Sequence, residues 1–75
     1  MTRPTSKQRI LWLLREAEGR WLSGLALAEV GGYRFGARIL ELRADGYAIQ
    51  RRPSPRSAVH EYRLVPQDEQ LTIAL

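Results

Sequence analysis

The chain of 75 residues has no cysteine, only one histidine and no long apolar run. Without cysteine, disulfides and thiolate zinc sites are excluded. No apolar stretch approaches the ~20 residues that span a bilayer, and no apolar run follows the N-terminal charges as a secretion signal requires. The composition therefore predicts one small cytoplasmic domain that is held together by packing, with no metal, cofactor, membrane or evident small-molecule ligand.

Lysine is almost absent too, because eleven of the twelve basic residues are arginine. The formal net charge is +4, and it is unevenly placed. Residues 1–65 contain 12 bases and 6 acids, whereas residues 66–75 contain two acids and no base. A GC-rich genome would account for the ratio of arginine to lysine, but not for the placement of the charges. A basic body with an acidic end is typical of a protein with an anionic partner such as nucleic acid.

Capping residues and helical periodicity predict two helices in the first half of the chain. Thr5 and Gln8 fit a capping box at the start of "RPTSKQRILWLLREAEG", which Gly19 ends. Ser23 can cap "GLALAEV", and the following Gly31-Gly32 pair predicts a turn. Between these two helices, "RWLSG" is long enough only for one short strand.

A third helix and a hairpin are predicted in the second half. In the helix over residues 34–45, Phe35, Ile39 and Leu42 share one face, and Gly46 is suited to the C-terminal cap. Apolar and polar residues then alternate around residues 47–49 and 62–64, which indicates two strands. The segment "RRPSPRSA" between them predicts an exposed basic loop.

The order of helix, short strand, helix, tight turn, helix and hairpin resembles the winged helix-turn-helix domains of bacteria and their phages. The positions that carry the resemblance are Val30-Gly31, Tyr33-Arg34, Ala37-Arg38-Ile39, Leu42-Arg43, Gly46-Tyr47, Ile49 and Tyr62-Arg63-Leu64. The resemblance covers roughly residues 6–65. It implies an α+β fold with three helices, a short strand and a C-terminal β-hairpin wing over residues 1–65, followed by a tail at 66–75.

The resemblance also implies a transcription regulator that binds double-stranded DNA. Helix 34–45 would read the major groove, and the wing at residues 50–60 would contact the adjacent backbone or minor groove. The expected DNA-binding residues are Tyr33, Arg34, Ala37, Arg38, Glu41, Arg51, Arg52 and Arg56.

Several of these residues have an alternative interpretation. Arg34 and the wing arginines could be solvated charges, and Tyr33 could pack over the turn instead of contacting a phosphate. Arg38 could reach DNA or lie along the edge of the core, paired with Glu29 or Asp45.

Apolar residues outside the predicted core favour a second surface. Leu11 and Trp12 lie off the apolar face of the first helix, and the chain ends in the uncharged segment Leu71–Leu75. The tail could cover Trp12 within one chain, or these residues could form a homodimer.

A function of another class is a winged helix that binds a protein, such as a phage factor acting on a host enzyme or polymerase. Catalysis is not expected, because Ser23 and His60 have no partners in the sequence that would form a catalytic or metal site.

Overall fold

The computed structural model describes residues 3–56 and 58–66. The elements are α1 (Ser6–Glu16), β1 (Leu22–Ser23), α2 (Gly24–Gly31), α3 (Phe35–Ala44), β2 (Ile49–Arg52) and β3 (Glu61–Leu64). The three strands form one antiparallel sheet in the order β1-β3-β2. This order of elements confirms the predicted α+β fold. No helix in the described part of the chain is long and apolar enough to cross a bilayer.

Local capping interactions begin the first two helices where the sequence predicts. The Thr5 hydroxyl accepts from the Gln8 backbone N–H at 3.1 Å, and Gln8 Oε1 accepts from the Thr5 N–H at 2.9 Å. This reciprocal pair satisfies two backbone donors that a helix start leaves unpaired. At α2, Ser23 Oγ accepts from the Leu25 N–H at 3.1 Å.

The turn between α2 and α3 depends on one glycine conformation. Gly32 ends α2 with φ +75°, and its N–H donates to the Ala28 carbonyl at 2.7 Å. A side chain is strained in this left-handed region, whereas glycine adopts it readily. The chain therefore turns within Gly32–Arg34 and starts α3 at Phe35.

The end of α3 has the hydrogen bonds of a Schellman motif. The Tyr47 N–H donates to the Leu42 carbonyl at 3.1 Å, and the Gly46 N–H donates to the Arg43 carbonyl at 3.0 Å. Gly46 has φ +105°, as the motif requires at this position. The bonds direct the chain out of the helix and into β2.

One core lies between the helices and the inner face of the sheet. Its buried apolar residues are Ile10, Leu14, Ala17, Leu27, Ile39, Leu42, Ile49, Tyr62 and Val65. Helix α1 packs against both α2 and α3. The core therefore holds α3 by one face and leaves the opposite face outward.

An ion pair also joins α1 to the end of α3. Lys7 Nζ lies 2.5 Å from Asp45 Oδ2, and this hydrogen bond raises the pKa of Lys7.

Candidate nucleic-acid interface

Helix α3 presents a clear division between a core face and an outward face. Ile39 and Leu42 are buried, and the ring of Phe35 makes an edge-to-face contact with Tyr62 at 5.7 Å between centroids. These positions confirm the predicted inward stripe. Ala37 lies on the other face and is exposed, as the helical period requires.

The residues just before α3 are also turned to solvent. Tyr33 is fully exposed, so the alternative in which its ring packs over the turn is wrong. Arg34 is exposed at the N-cap position, and its side chain makes no capping hydrogen bond. The first turn of α3 thus presents a phenol and a guanidinium, next to backbone N–H groups at the positive end of the helix dipole.

Arg38 is bound within its own helix. Its Nε lies 3.3 Å from Glu41 Oε2. The partner is therefore Glu41, and the expected pairing with Glu29 or Asp45 is wrong. Side chains three residues apart on a helix are neighbours, so this ion pair forms within α3 and does not depend on the position of another helix. The Nε atom is buried and makes no hydrogen bond within residues 3–56 and 58–66, yet about a third of the side chain stays exposed. Arg38 and Glu41 thus form a partly screened pair on the flank of α3.

The hairpin of β2 and β3 lies beside α3 and turns one arginine toward it. Ile49 is buried on the inner face of the sheet, and alternation puts Arg51 on the same face, opposite Tyr62. Because Tyr62 contacts Phe35, this is the face that meets α3. Arg51 itself is exposed.

The structure thus combines a tight turn, a third helix with an outward face, and an adjacent hairpin with basic side chains. A family model described as a winged helix-turn-helix domain matches residues 5–65, more than half of the chain. The chain belongs to this family. No curated protein and no solved structure gives a significant match to it. Membership in the winged helix-turn-helix family indicates DNA binding. In this fold α3 is the second helix of the helix-turn-helix, called the recognition helix below, and the β2–β3 hairpin is the wing.

The outer face of this winged-helix sheet carries a stack of cations on an aromatic ring. The guanidinium carbon of Arg52 lies 4.2 Å from the centroid of the Trp21 ring, and that of Arg63 lies 5.5 Å from it. Arg52 Nε also donates to Glu61 Oε1 at 2.8 Å, and Arg63 Nε donates to Gln50 Oε1 at 2.7 Å. Arg52, predicted to bind phosphate, is thus engaged on the face that turns away from the recognition helix.

The sequence does not predict this stack. Trp21 is expected there only as part of the short strand, and its aromatic ring is the one signal of a cation–π contact. The stack depends on strand order, because β3 lies between β1 and β2 and brings residues from distant segments together.

Arg56 lies in the loop between the two wing strands. It is exposed, and its backbone N–H donates to Ser54 Oγ at 3.3 Å. Among the described residues, the guanidinium groups of Arg34, Arg51 and Arg56 make no hydrogen bond or ion pair. These three cations are available to an anionic partner.

The surface of α1 only partly matches the sequence prediction. Trp12 is half exposed, but Leu11 packs against the core, so the inference that Leu11 lacks a place in the core is wrong. Leu11 is partly buried against the same cluster that contains Ile10 and Leu14, so the core covers more of α1 than its main apolar face. The segment Leu71–Leu75, the other part of the predicted dimer surface, lies outside the described residues.

Proposed function

We propose that the protein is a sequence-specific double-stranded DNA-binding protein that regulates transcription, of the small kind encoded by bacteria and phages. The recognition helix enters the major groove, and the wing contacts the adjacent backbone or minor groove. The observation that carries the proposal is that the guanidinium groups of Arg34, Arg51 and Arg56 have no hydrogen-bond or ion-pair partner among residues 3–56 and 58–66. These three groups occupy the start of the recognition helix and the wing.

The proposed contacts divide into base reading and phosphate binding. Arg34 makes a bidentate contact with guanine, since its planar fork matches the O6 and N7 acceptors. Arg51 and Arg56 bind phosphates, and the Tyr33 hydroxyl donates to another. Arg52 keeps the wing in place through Trp21 and Glu61.

The residues further along α3 have smaller proposed roles. Ala37 faces the base edges, where its small side chain permits a close approach. The exposed part of Arg38 reaches the backbone from the flank, with Glu41 holding its orientation.

A binding titration with a matched pair of charge reversals tests the function. Selection from random duplexes first yields the preferred site, and affinity is then measured at two salt concentrations. Arg34→Glu should abolish binding to this site, whereas Arg9→Glu makes the same change in net charge on the exposed side of α1 and should retain most of it. Arg34→Ala should cost roughly 1–3 kcal/mol at the selected site and relax its sequence preference.

The contrary result favours a winged helix that binds a protein. The specific observation for this second function is Trp12, whose side chain is 50% exposed on α1 although aromatic rings usually dominate buried surfaces. If the wild-type protein selects no duplex, or if Arg34→Glu binds as well as wild type, the DNA-binding proposal is contradicted. Trp12 would then be the first residue to replace in a search for a protein partner.

A further inference from the structure

The outward face of the recognition helix is apolar at its centre. Leu40 is 64% exposed, and it lies one turn after the exposed residues Gly36 and Ala37 and one turn before the exposed Ala44. A β-carbon added at Gly36 would have no atom within 4 Å. The surface is therefore narrow at its start and has one protruding aliphatic side chain in its middle.

The polar side chains of α3 leave few hydrogen-bond donors for this face. Arg38 is paired with Glu41 at 3.3 Å. Arg43 Nε donates to the Ile49 carbonyl at 3.0 Å, which ties the residue to the start of β2. Among the described arginines of this helix and its N-cap, only the guanidinium of Arg34 makes no hydrogen bond or ion pair. Base edges opposite the middle of α3 would therefore meet carbon atoms.

The position of Leu40 places it between the centre of this face and the wing. Arg43 is three residues further on, so the two side chains are neighbours on the helix surface. Because Arg43 contacts the first residue of β2, Leu40 lies on the flank that is nearer to the wing. The uncommitted cations Arg34 and Arg51 lie at the start of α3 and on the wing face toward α3. An apolar strip with cations beside it complements a groove whose floor carries methyl groups and whose walls carry phosphates.

We propose that Ala37 and Leu40 recognise the C5-methyl groups of thymine in the major groove. Thymine is the base that presents an apolar group there, and contacts of Ala or other apolar side chains with it are a known form of base reading. The preferred site then contains A·T pairs opposite the middle of α3, beside the guanine that Arg34 contacts. This inference rests on the proposed DNA-binding function and specifies what the recognition helix reads.

Replacement of thymine by deoxyuridine tests the inference, because it removes the methyl group and leaves every hydrogen-bonding atom in place. In the selected duplex each thymine is replaced in turn, and the dissociation constant is measured for wild type, Leu40→Ala and Leu25→Ala. Leu25 is the matched control, since it is a leucine of similar exposure, 59%, on α2. Melting curves confirm that the variants are folded.

For wild type, uracil at one or two positions should weaken binding by roughly fourfold each, as expected for one buried methyl group. Leu40→Ala should bind the thymine duplex more weakly and bring the ratio of uracil to thymine dissociation constants close to one. Leu25→Ala should keep the wild-type ratio. Where the selected site tolerates a cytosine at the sensitive position, 5-methylcytosine should bind more tightly than cytosine, because it carries the same methyl group.

Two different failures can be told apart. If wild type selects no duplex, the proposed function fails. If wild type selects a duplex but uracil has no effect at any position, or if Leu40→Ala keeps the full sensitivity to uracil, the function stands and the recognition of methyl groups by Leu40 is overturned.

Discussion

The guanidinium of Arg52 lies over the ring of Trp21, 4.2 Å from its centroid, while Arg52 Nε is bonded to Glu61. Trp21 precedes β1 and Arg52 ends β2, so the contact joins the two outer strands of the sheet across β3. Arg63 of β3 approaches the same ring at 5.5 Å. The stack therefore braces the wing where its strands meet the loop, next to the pair of Arg52 with Glu61. Arg52, which is suited to binding phosphate, has a structural role here.

This brace predicts different effects for two neighbouring arginines. Arg52→Ala should lower the free energy of unfolding by about 0.5–1 kcal/mol, the range of an exposed cation–π contact, whereas Arg51→Ala should leave it almost unchanged. Arg51→Ala should produce the larger loss of DNA affinity, because Arg51 is uncommitted and faces α3. Thermal melting and DNA titration of both variants check the prediction. It is wrong if Arg52→Ala melts like wild type and weakens DNA binding as strongly as Arg51→Ala does.

DNA affinity should fall steeply with salt concentration. Arg51 and Arg56 each neutralise a phosphate, and Arg34 places a third cation in the groove, so the slope of log K against log salt should be about −2 to −3, since each neutralised phosphate contributes about −0.9. Arg56→Ala should make the slope less negative by about one unit and weaken all sequences alike. Titrations over a range of salt concentrations measure this. A flat dependence would contradict the electrostatic part of the interface.

The core face of α3 predicts a large loss of stability at one position and almost none at the next. Ile39 is 2% exposed, so Ile39→Ala should cost roughly 2–5 kcal/mol, a large part of the stability of a small domain. Leu40→Ala removes a mostly exposed side chain and should change the free energy of unfolding by less than about 0.5 kcal/mol. Chemical denaturation of both variants provides the comparison. Equal midpoints would mean that α3 packs with a different face.

Two glycines should respond in opposite directions to alanine. A β-carbon at Gly24 would lie 2.7 Å from Val59 Cγ1 and 3.0 Å from the His60 carbonyl oxygen, where the end of the wing loop meets α2. Gly24→Ala should therefore destabilise the protein by about 1–3 kcal/mol.

At Gly36 the space is open, and alanine is the better helix former, so Gly36→Ala should stabilise it by about 0.5–1 kcal/mol. Melting midpoints that shift in opposite directions are expected for the pair. A stabilising Gly24→Ala would show that the wing loop can move away at little cost.

Half-exposed Trp12 supports the expectation of a homodimer. A second copy would double the DNA footprint, and the uncharged sequence of Leu71–Leu75 is the other part of the predicted dimer surface. Sedimentation at micromolar concentration should give twice the 8.6 kDa mass of one chain, and Trp12→Glu should restore the monomer. A wild-type protein that sediments as a monomer contradicts the dimer, and a monomer that forms only after removal of residues 68–75 assigns the contact to the tail.

The sequence by itself determined where α1 and α2 begin and where α2 and α3 end, because those signals act over a few residues. The predicted end of α1 was wrong: the helix ends at Glu16 with Ala17 as its cap, before the predicted Gly19. Thr5 with Gln8, Ser23, Gly32 and Gly46 each satisfy or redirect the backbone within one turn, and each has its expected role. Periodicity likewise placed Ile39 and Leu42 in the core, since a helix has only one way to bury both.

Only the tertiary structure decided which side chains are free. Arg51 and Arg52 are adjacent and chemically identical, yet one faces α3 and the other lies on Trp21. Leu11 and Trp12 differ in the same way, because Leu11 packs against the core cluster whereas Trp12 stays half exposed. The partners that decide these outcomes lie in distant segments of the chain. No local pattern encodes them, because they meet only when the strands and helices have assembled.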